Sequence, residues 1–396
     1  MDGLPKAALV VVAYGHAATL PATLQALQAL DYPADQRQII VVENGDGSSA
    51  AVAREQRGVA VVEPGQNLGF AGGCNLGVAL STAQVVVLVN PDTIPEPTFL
   101  RSLVTALAEP RVGIVGAKLL YPDHTTLQHA GGFLEQPLAL AHHYGYGEAD
   151  QGQFDTRREV EFVTGAALAI GRGTWEQLGG FDTAFFPGYF EEVDLCWRVR
   201  AMGLTVQYEP SAVAIHQEAA GLGKRSAPYH RFYHRNRLRL LWKHRSDDWL
   251  AAEWLPAELA YLRSLADDVE INSLTDVYIS WQRAFITGSD PAQQPQTAAT
   301  APPRPHLSEL EWTLQQVRAK PIITPIPFRS RLPFVARLRT WLNRIATEDY
   351  LRPLVQQQND FNASVVELAA ALARQRRVAD AAILCQGTFL AKLMRQ

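Results

Sequence analysis

The residues best suited to chemistry are carboxylates placed where a strand or an aromatic run stops. Asp92 closes Asn90-Pro91-Asp92, directly after the aliphatic run Val85-Val86-Val87-Leu88-Val89. That run reads as a buried strand. Asn90-Pro91 ends it, because proline has no N–H for a ladder and pushes its predecessor toward extended conformations. Asp92 therefore sits just past the carboxyl end of a central strand, the edge at which open α/β sheets bind ligands. With no basic neighbour in sequence it calls for a positive partner, and a divalent cation on a diphosphate is the natural candidate. An aspartate after Asn-Pro also serves as an ordinary turn cap.

Glu191 and Glu192 follow the aromatic loop Phe185-Phe186-Pro187-Gly188-Tyr189-Phe190, with Asp194 close behind. A carboxylate in apolar company tends toward a raised pKa and suits a general base. The same acids also suit the first turn of an amphipathic helix: Val193, Cys196, Val199 and Met202 share a face, Arg198 and Arg200 occupy later turns, and Gly203 provides a stop. His216 closes a strand, where an imidazole is either structural or a metal ligand.

These groups are far apart in the chain, so a sheet must bring them together. Residues 7–13, 38–42, 59–62 and 85–89 read as buried strands, separated by helical segments that include Leu20, Leu24, Leu27 and Leu30 at helical spacing. Alternating strands and helices imply crossover connections and a mostly parallel, doubly wound sheet. Tyr14, Glu43 and Asn44 fall in loops at the same edge as Asp92, and an acid at an early strand end is suited to gripping ribose. Residues 66–77 carry Asn67, Gly69, Gly72, Gly73 and Asn75 before and within a helix. The glycines allow close approach to a ligand or positive φ, and the asparagines serve equally as caps. Further strands are expected at 112–119, 160–170, 205–208 and 212–215, whereas residues 128–158 show no regular pattern.

At 396 residues with 47% hydrophobic content, the chain suits one large domain plus an appendage. A net charge of −4 argues against general nucleic-acid binding. Three dispersed cysteines suggest a reducing compartment, and neither a leader pattern nor a long apolar run is evident, so a cytoplasmic location is expected. Residues 229–245 are strongly basic and include Arg235, which suggests a local anion such as phosphate. The expected divisions are a domain at 1–245, a helical extension at 246–288, a Pro/Ala/Gln-rich linker at 289–305 and a helical region at 306–396. In the last, Leu332, Val335, Leu338, Trp341, Leu342 and Ile345 form a stripe beside several arginines, a pattern that suits peripheral contact with the inner membrane surface, a partner or another domain.

The ordered set of the first strand with its loop aromatic, Asn-Leu-Gly-Phe-Ala-Gly-Gly-Cys-Asn at 67–75, Asn90-Pro91-Asp92, and Gly-Gly-Phe-Asp followed by Phe-Glu-Glu-Val-Asp-Leu resembles the inverting glycosyltransferases of family 2, rhamnosyltransferase-like branch, over residues 7–245. The resemblance implies a GT-A fold and transfer of a sugar from a dTDP- or UDP-linked donor to a glycan or lipid-linked acceptor in cell-surface polysaccharide synthesis. It implies that Tyr14, Glu43 and Asn44 contact the nucleoside, that Asn67, Gly69 and Asn75 line its pocket, and that Asp92 and His216 hold Mg²⁺ or Mn²⁺ on the diphosphate. Glu192 falls at the base position, Asp194 is second choice, and Arg235 would assist the leaving group. Asn90, Glu43 and Glu192 each stand where the family commonly has aspartate, so a sugar- or nucleotide-binding scaffold is the competing reading, and a homo-oligomer is an open expectation.

Overall fold

The computed structural model describes residues 3–217, 226–291 and 352–394. Ten strands form one sheet: β1 (Ala7–Ala13), β2 (Arg37–Glu43), β3 (Val59–Val62), β4 (Val85–Val89), β5 (Thr93–Pro95), β6 (Val112–Leu120), β7 (Leu127–His129), β10 (Arg158–Glu159), β11 (Ala167–Gly171) and β12 (Thr205–His216). β8 (Gly132–Glu135) and β9 (Leu140–His143) make a separate hairpin. The main order is β10-β12-β6-β11-β4-β1-β2-β3, with β5 beside β12 and β7 beside β6. β3, β2, β1 and β4 run parallel, as do β6 and β12, while β11 lies antiparallel between β4 and β6. The expected mostly parallel sheet is therefore present.

Helices cover both faces. α1 (Leu20–Gln28) and α4 (Phe99–Leu107) bury Leu20, Leu24, Leu27, Phe99 and Leu103 against Leu9, Val11, Val87 and Val89. α2 (Ser48–Arg54) follows β2, and α3 (Gly69–Ala79) covers the opposite face. A Cβ on Gly73 would stand 2.7 Å from Val12 Cγ1, and one on Gly77 2.4 Å from Val10 Cγ1, so these glycines bring helix backbone onto the sheet. α5 (Arg172–Leu178) and α6 (Glu191–Ala201) precede β12.

The expected strands at 205–208 and 212–215 form one strand, because β12 absorbs Pro210 in an irregularity between Glu209 and Val213 and keeps its pairing with β6. The stretch lacking a pattern contains the β8–β9 hairpin, whose short strands are too brief to show a clear period. The basic stretch forms α7 (Ala227–His244), with much of its charge met internally: Arg231 pairs with Asp276 (3.0 Å), Arg237 with Glu258 (2.5 Å) and Lys243 with Asp194 (2.8 Å). These partners, distant in sequence, take up part of the charge that the basic run offered to a local anion such as phosphate.

α8 (Asp247–Trp249) leads through a π turn into α9 (Leu255–Ser264), followed by α10 (Asp268–Thr287). The last helix, α11 (Arg352–Met394), ends within the first compact unit, which comprises residues 1–293 and 386–396. There Thr388 Oγ1 donates to Tyr278 O (2.9 Å), and Phe389 packs beside Trp254 with ring centres 6.3 Å apart. The second unit covers residues 294–385, of which the described part is helix. The 332–345 stripe lies outside the described residues, as does the 292–305 part of the expected linker. No helix among the described residues is long and apolar enough to cross a membrane.

Gly77→Ala should destabilise the fold by about 1–2 kcal/mol in denaturant titration. Alanine improves helix propensity by about 1 kcal/mol, but overpacking against the stiff, β-branched Val10 costs about 1–3 kcal/mol.

Candidate active site

Strand register draws the candidate residues to one edge. β1 and β2 end together through the Ala13–Glu43 pairing, so Tyr14 and Asn44 emerge side by side. β5 pairs with β12 through Thr93 and His216, which brings Asp92 to His216; Gln217 N also donates to Asp92 O (3.0 Å). At the same edge Asn90 N donates to Ala166 O (3.0 Å). A Cβ on Gly165, the preceding residue, would stand 3.9 Å from Glu192 Cβ. Asp92 and His216 thus meet just past the end of β4, and Glu192 lies beside the Gly165 backbone that leads into the Ala166 contact at the same edge, despite coming from different parts of the chain.

Asp92 is buried, with Oδ1 3.2 Å from His216 Nε2. Burial pushes its carboxyl up, but the hydrogen bond and charge of His216, together with the charge of His16, outweigh that and hold it below its ordinary value. His216 Nδ1 faces Gln128 Oε1 at 2.6 Å, and the Gln128 amide nitrogen lies 3.5 Å from His216 O, which orients the amide oxygen toward the ring. Nδ1 is accordingly the donor in that contact. With a single ring proton, Nε2 and Asp92 Oδ1 would face each other as two acceptors, so a cation or a second proton suits the gap between them. Asn90 Nδ2 lies 3.4 Å from the same Nε2. This oxygen-and-imidazole donor set fits a divalent ion. Gln128 and His16 were not singled out by sequence reasoning, because their relevance comes from strand pairing and loop proximity rather than a local motif.

Glu191 and Glu192 open α6 behind two aromatic residues in left-handed backbone, Tyr189 (φ 75°) and Phe190 (φ 71°). One carboxylate oxygen of each glutamate is buried without a hydrogen-bond partner. Burial raises both carboxyls, Glu191 well above its ordinary value and Glu192 to about 7. Glu191 is raised further by the adjacent charge of Glu192. Glu192 therefore combines an edge position with a proton affinity suited to exchange near neutrality.

Several other candidates have structural partners. Asn44 accepts from Leu68 N (2.8 Å) and donates to Asn67 Oδ1 and Gly69 O (3.1 Å each), while Asn67 Oδ1 accepts from Gly69 N (2.8 Å). Gly69 has φ 68°, and a Cβ there would lie 2.8 Å from Phe186, so its role includes tight packing. Asn75 both accepts from Phe181 N (3.0 Å) and donates to Phe181 O (2.9 Å), tying α3 to the loop before α6. Glu43 accepts from Gly45 N (2.7 Å) and Ala50 N (2.8 Å), so both carboxylate oxygens bind backbone. Tyr14 remains 58% exposed on the lip of the edge.

Two expectations require correction. Asp194 does not present a free carboxylate: Arg198 Nε lies 2.7 Å from Oδ2, and His244 Nε2 and Lys243 Nζ lie 2.7 and 2.8 Å from Oδ1. Burial pushes its carboxyl up, but the His244 hydrogen bond and the Arg198 and Lys243 charges bring it below its ordinary value. Arg235 donates to Phe186 O and through Nε to Asn236 Oδ1 (3.2 Å), so it is bound to the aromatic loop rather than to an open phosphate position.

Elsewhere, His230, His234 and Glu270 approach one another. Arg237 Nε donates to His234 Nδ1 (3.2 Å), which leaves the proton on Nε2 facing Glu270 (3.0 Å). This is a hydrogen-bonded core arrangement, since the nitrogen that would face a cation carries a proton.

The sequence pattern of "Glycosyltransferase like family 2" matches residues 5–240. The chain belongs to this family. Uncharacterized protein y4gI of Sinorhizobium fredii is 30% identical over 58% of this chain and 26% of its own length. N-acetylglucosaminyl-diphospho-decaprenol L-rhamnosyltransferase of Mycobacterium tuberculosis is 25% identical over 54% of this chain and 77% of its own length. A solved structure of GalNAc-T7 with UDP, GalNAc and Mn²⁺ is 13% identical, covers 73% of this chain and 52% of that protein, and has a TM-score of 0.49. The chain therefore spans about a quarter of the first relative. Within the family, the expected GT-A class of fold accords with the mostly parallel sheet and its helical covering.

Asp194→Asn should reduce folding stability by about 1–3 kcal/mol in denaturant titration, because it removes the buried anion shared by the partly exposed Arg198, Lys243 and His244. The stabilisation from Asp194 should be present above the ordinary carboxylate range and fade as pH falls through its lowered folded pKa. Wild-type stability at every pH would contradict this role.

Proposed function

We propose that the chain is a metal-dependent inverting glycosyltransferase acting on a nucleotide-diphosphate sugar. The observation that carries the reading is the gathering, at one sheet edge, of the Asp92–His216 pair and the raised carboxyl of Glu192. The proposed donor is dTDP- or UDP-linked and the acceptor a hydroxyl on a glycan or lipid-linked sugar. The mycobacterial relative, an N-acetylglucosaminyl-diphospho-decaprenol L-rhamnosyltransferase, supports this lipid-linked acceptor class, and a role in cell-surface polysaccharide synthesis is part of the same proposal.

In this reading Glu192 accepts the acceptor hydroxyl proton. The oxygen attacks the anomeric carbon from the face opposite the diphosphate, whose bond to that carbon breaks with inversion. Mg²⁺ or Mn²⁺ held by Asp92 and His216 would supply charge neutralisation for the diphosphate. Gln128 keeps the His216 ring oriented, and Asn44 and Asn67 shape the neighbouring loop. Glu191, more strongly raised than Glu192, remains the protonated member of the adjacent pair near neutrality.

Glu192→Gln should retain donor binding while reducing turnover by about 10²–10⁴-fold in nucleoside-diphosphate release assays. For the wild type, kcat/KM should rise with pH through an apparent midpoint near 7 and level above it, because the base acts deprotonated. A Glu192→Gln variant with wild-type turnover would reject the assigned base. Asp92→Ala should abolish Mn²⁺-dependent binding of UDP or dTDP measured by calorimetry; retained metal-dependent binding would reject the proposed cation site.

A further inference from the structure

We infer that Asn236, assisted by Arg235, is a positioning residue that holds the loop presenting Glu192. This inference rests on the proposed role of Glu192 and extends it to a helix that does not itself carry the base.

The aromatic loop between the short helical turn ending at Phe185 and α6 cannot satisfy its carbonyls by regular secondary structure. Tyr189 and Phe190 both have positive φ, a conformation disfavoured for bulky side chains, immediately before Glu191. The loop is therefore held from outside. Asn236 is fully buried, and its Nδ2 lies 2.8 Å from Phe185 O, 2.7 Å from Gly188 O and 3.1 Å from Tyr189 O. One amide group thus spans the turn that leads into α6. Arg235 donates to Phe186 O, while Phe70 N from α3 donates to Pro187 O (2.7 Å).

The platform beneath this clamp is itself anchored. Arg237, the next residue of α7, donates to both oxygens of Glu258 (2.8 and 2.5 Å) and to Leu138 O (2.7 Å). Tyr278 from α10 donates to Glu258 Oε1 (2.6 Å). Asn236 therefore transfers the rigidity of the helical layer to a strained loop next to the proposed base. Losing its donors would leave buried carbonyls unpaired and allow the loop to relax, moving Glu192 with it.

The test compares full-length wild type, Asn236→Ala, Asn236→Ser, Glu192→Gln and Tyr278→Phe. The last weakens the anchored layer without removing a bond to the aromatic loop. Release of nucleoside diphosphate from dTDP-rhamnose and UDP-glucose in Mn²⁺ supplies kinetics, calorimetry with UDP and dTDP supplies binding, and hydrogen exchange reports residues 185–195.

Asn236→Ala is expected to lower kcat at least tenfold, retain nucleotide affinity within threefold, shift the pH midpoint downward as Glu192 gains water, and accelerate exchange in residues 185–195. Asn236→Ser, which keeps one hydroxyl donor, is expected to recover part of kcat. Tyr278→Phe leaves Arg237 bound to Glu258 and Leu138, so the platform under Asn236 persists and thermal stability should change without these changes in kcat or midpoint. If Asn236→Ala does not fold, Arg235→Lys is subjected to the same kinetic and exchange measurements.

The inference is overturned if a folded Asn236 variant matches Tyr278→Phe in kcat, pH midpoint and loop exchange. Wild-type turnover by Glu192→Gln instead rejects the underlying base assignment. If neither donor is turned over, unchanged exchange in residues 185–195 of Asn236→Ala still overturns the clamp.

Discussion

The pairing of Thr93 with His216 is the contact on which the candidate site depends. It joins the short strand after Asp92 to the end of β12 and converts a separation of over a hundred residues into a contact of 3.2 Å. Without that register, Asp92 would be a buried acid at a strand end and His216 an imidazole beside Gln128. Together they form a compact donor set, with Gln128 controlling the ring nitrogen turned away from Asp92. The antiparallel insertion of β11 extends the same edge toward Gly165 and Glu192.

Two neighbouring acidic stretches have opposite electrostatic characters. Burial raises Glu191 and Glu192, each with an oxygen that lacks a hydrogen-bond partner. Asp194, also buried, is surrounded by Arg198, Lys243 and His244 and is held low. The helix dipole at the start of α6 favours all these acids, but it is weaker than direct ion pairing. The local partner set therefore separates a proton-affine edge from a stabilising ionic cluster only one helical turn away.

Close packing performs much of the work that a sequence pattern could otherwise attribute to ligand binding. Gly73 and Gly77 allow α3 to approach β1, while Asn44, Asn67 and Asn75 tie loops together. These residues can shape a binding edge without directing every polar group into it. The basic run in α7 follows the same logic: its arginines join helices and loop carbonyls because buried guanidinium groups require multiple acceptors.

The strand–helix alternation, the long aliphatic strands and the positions of Asp92, Glu192 and His216 were legible from sequence because they depend on local polarity, periodicity and strand endings. The ordered motifs also pointed to the family later matched over residues 5–240. Tertiary structure alone decided that β12 continues past Pro210, that Asp194 is enclosed by cations, that Arg235 binds Phe186, and that Gln128 orients His216. Those outcomes depend on register and on hydrogen-bond partners tens of residues away or more. A sequence displays the type of each group along one line; the folded chain determines which of its polar atoms remain available after burial has paired the rest.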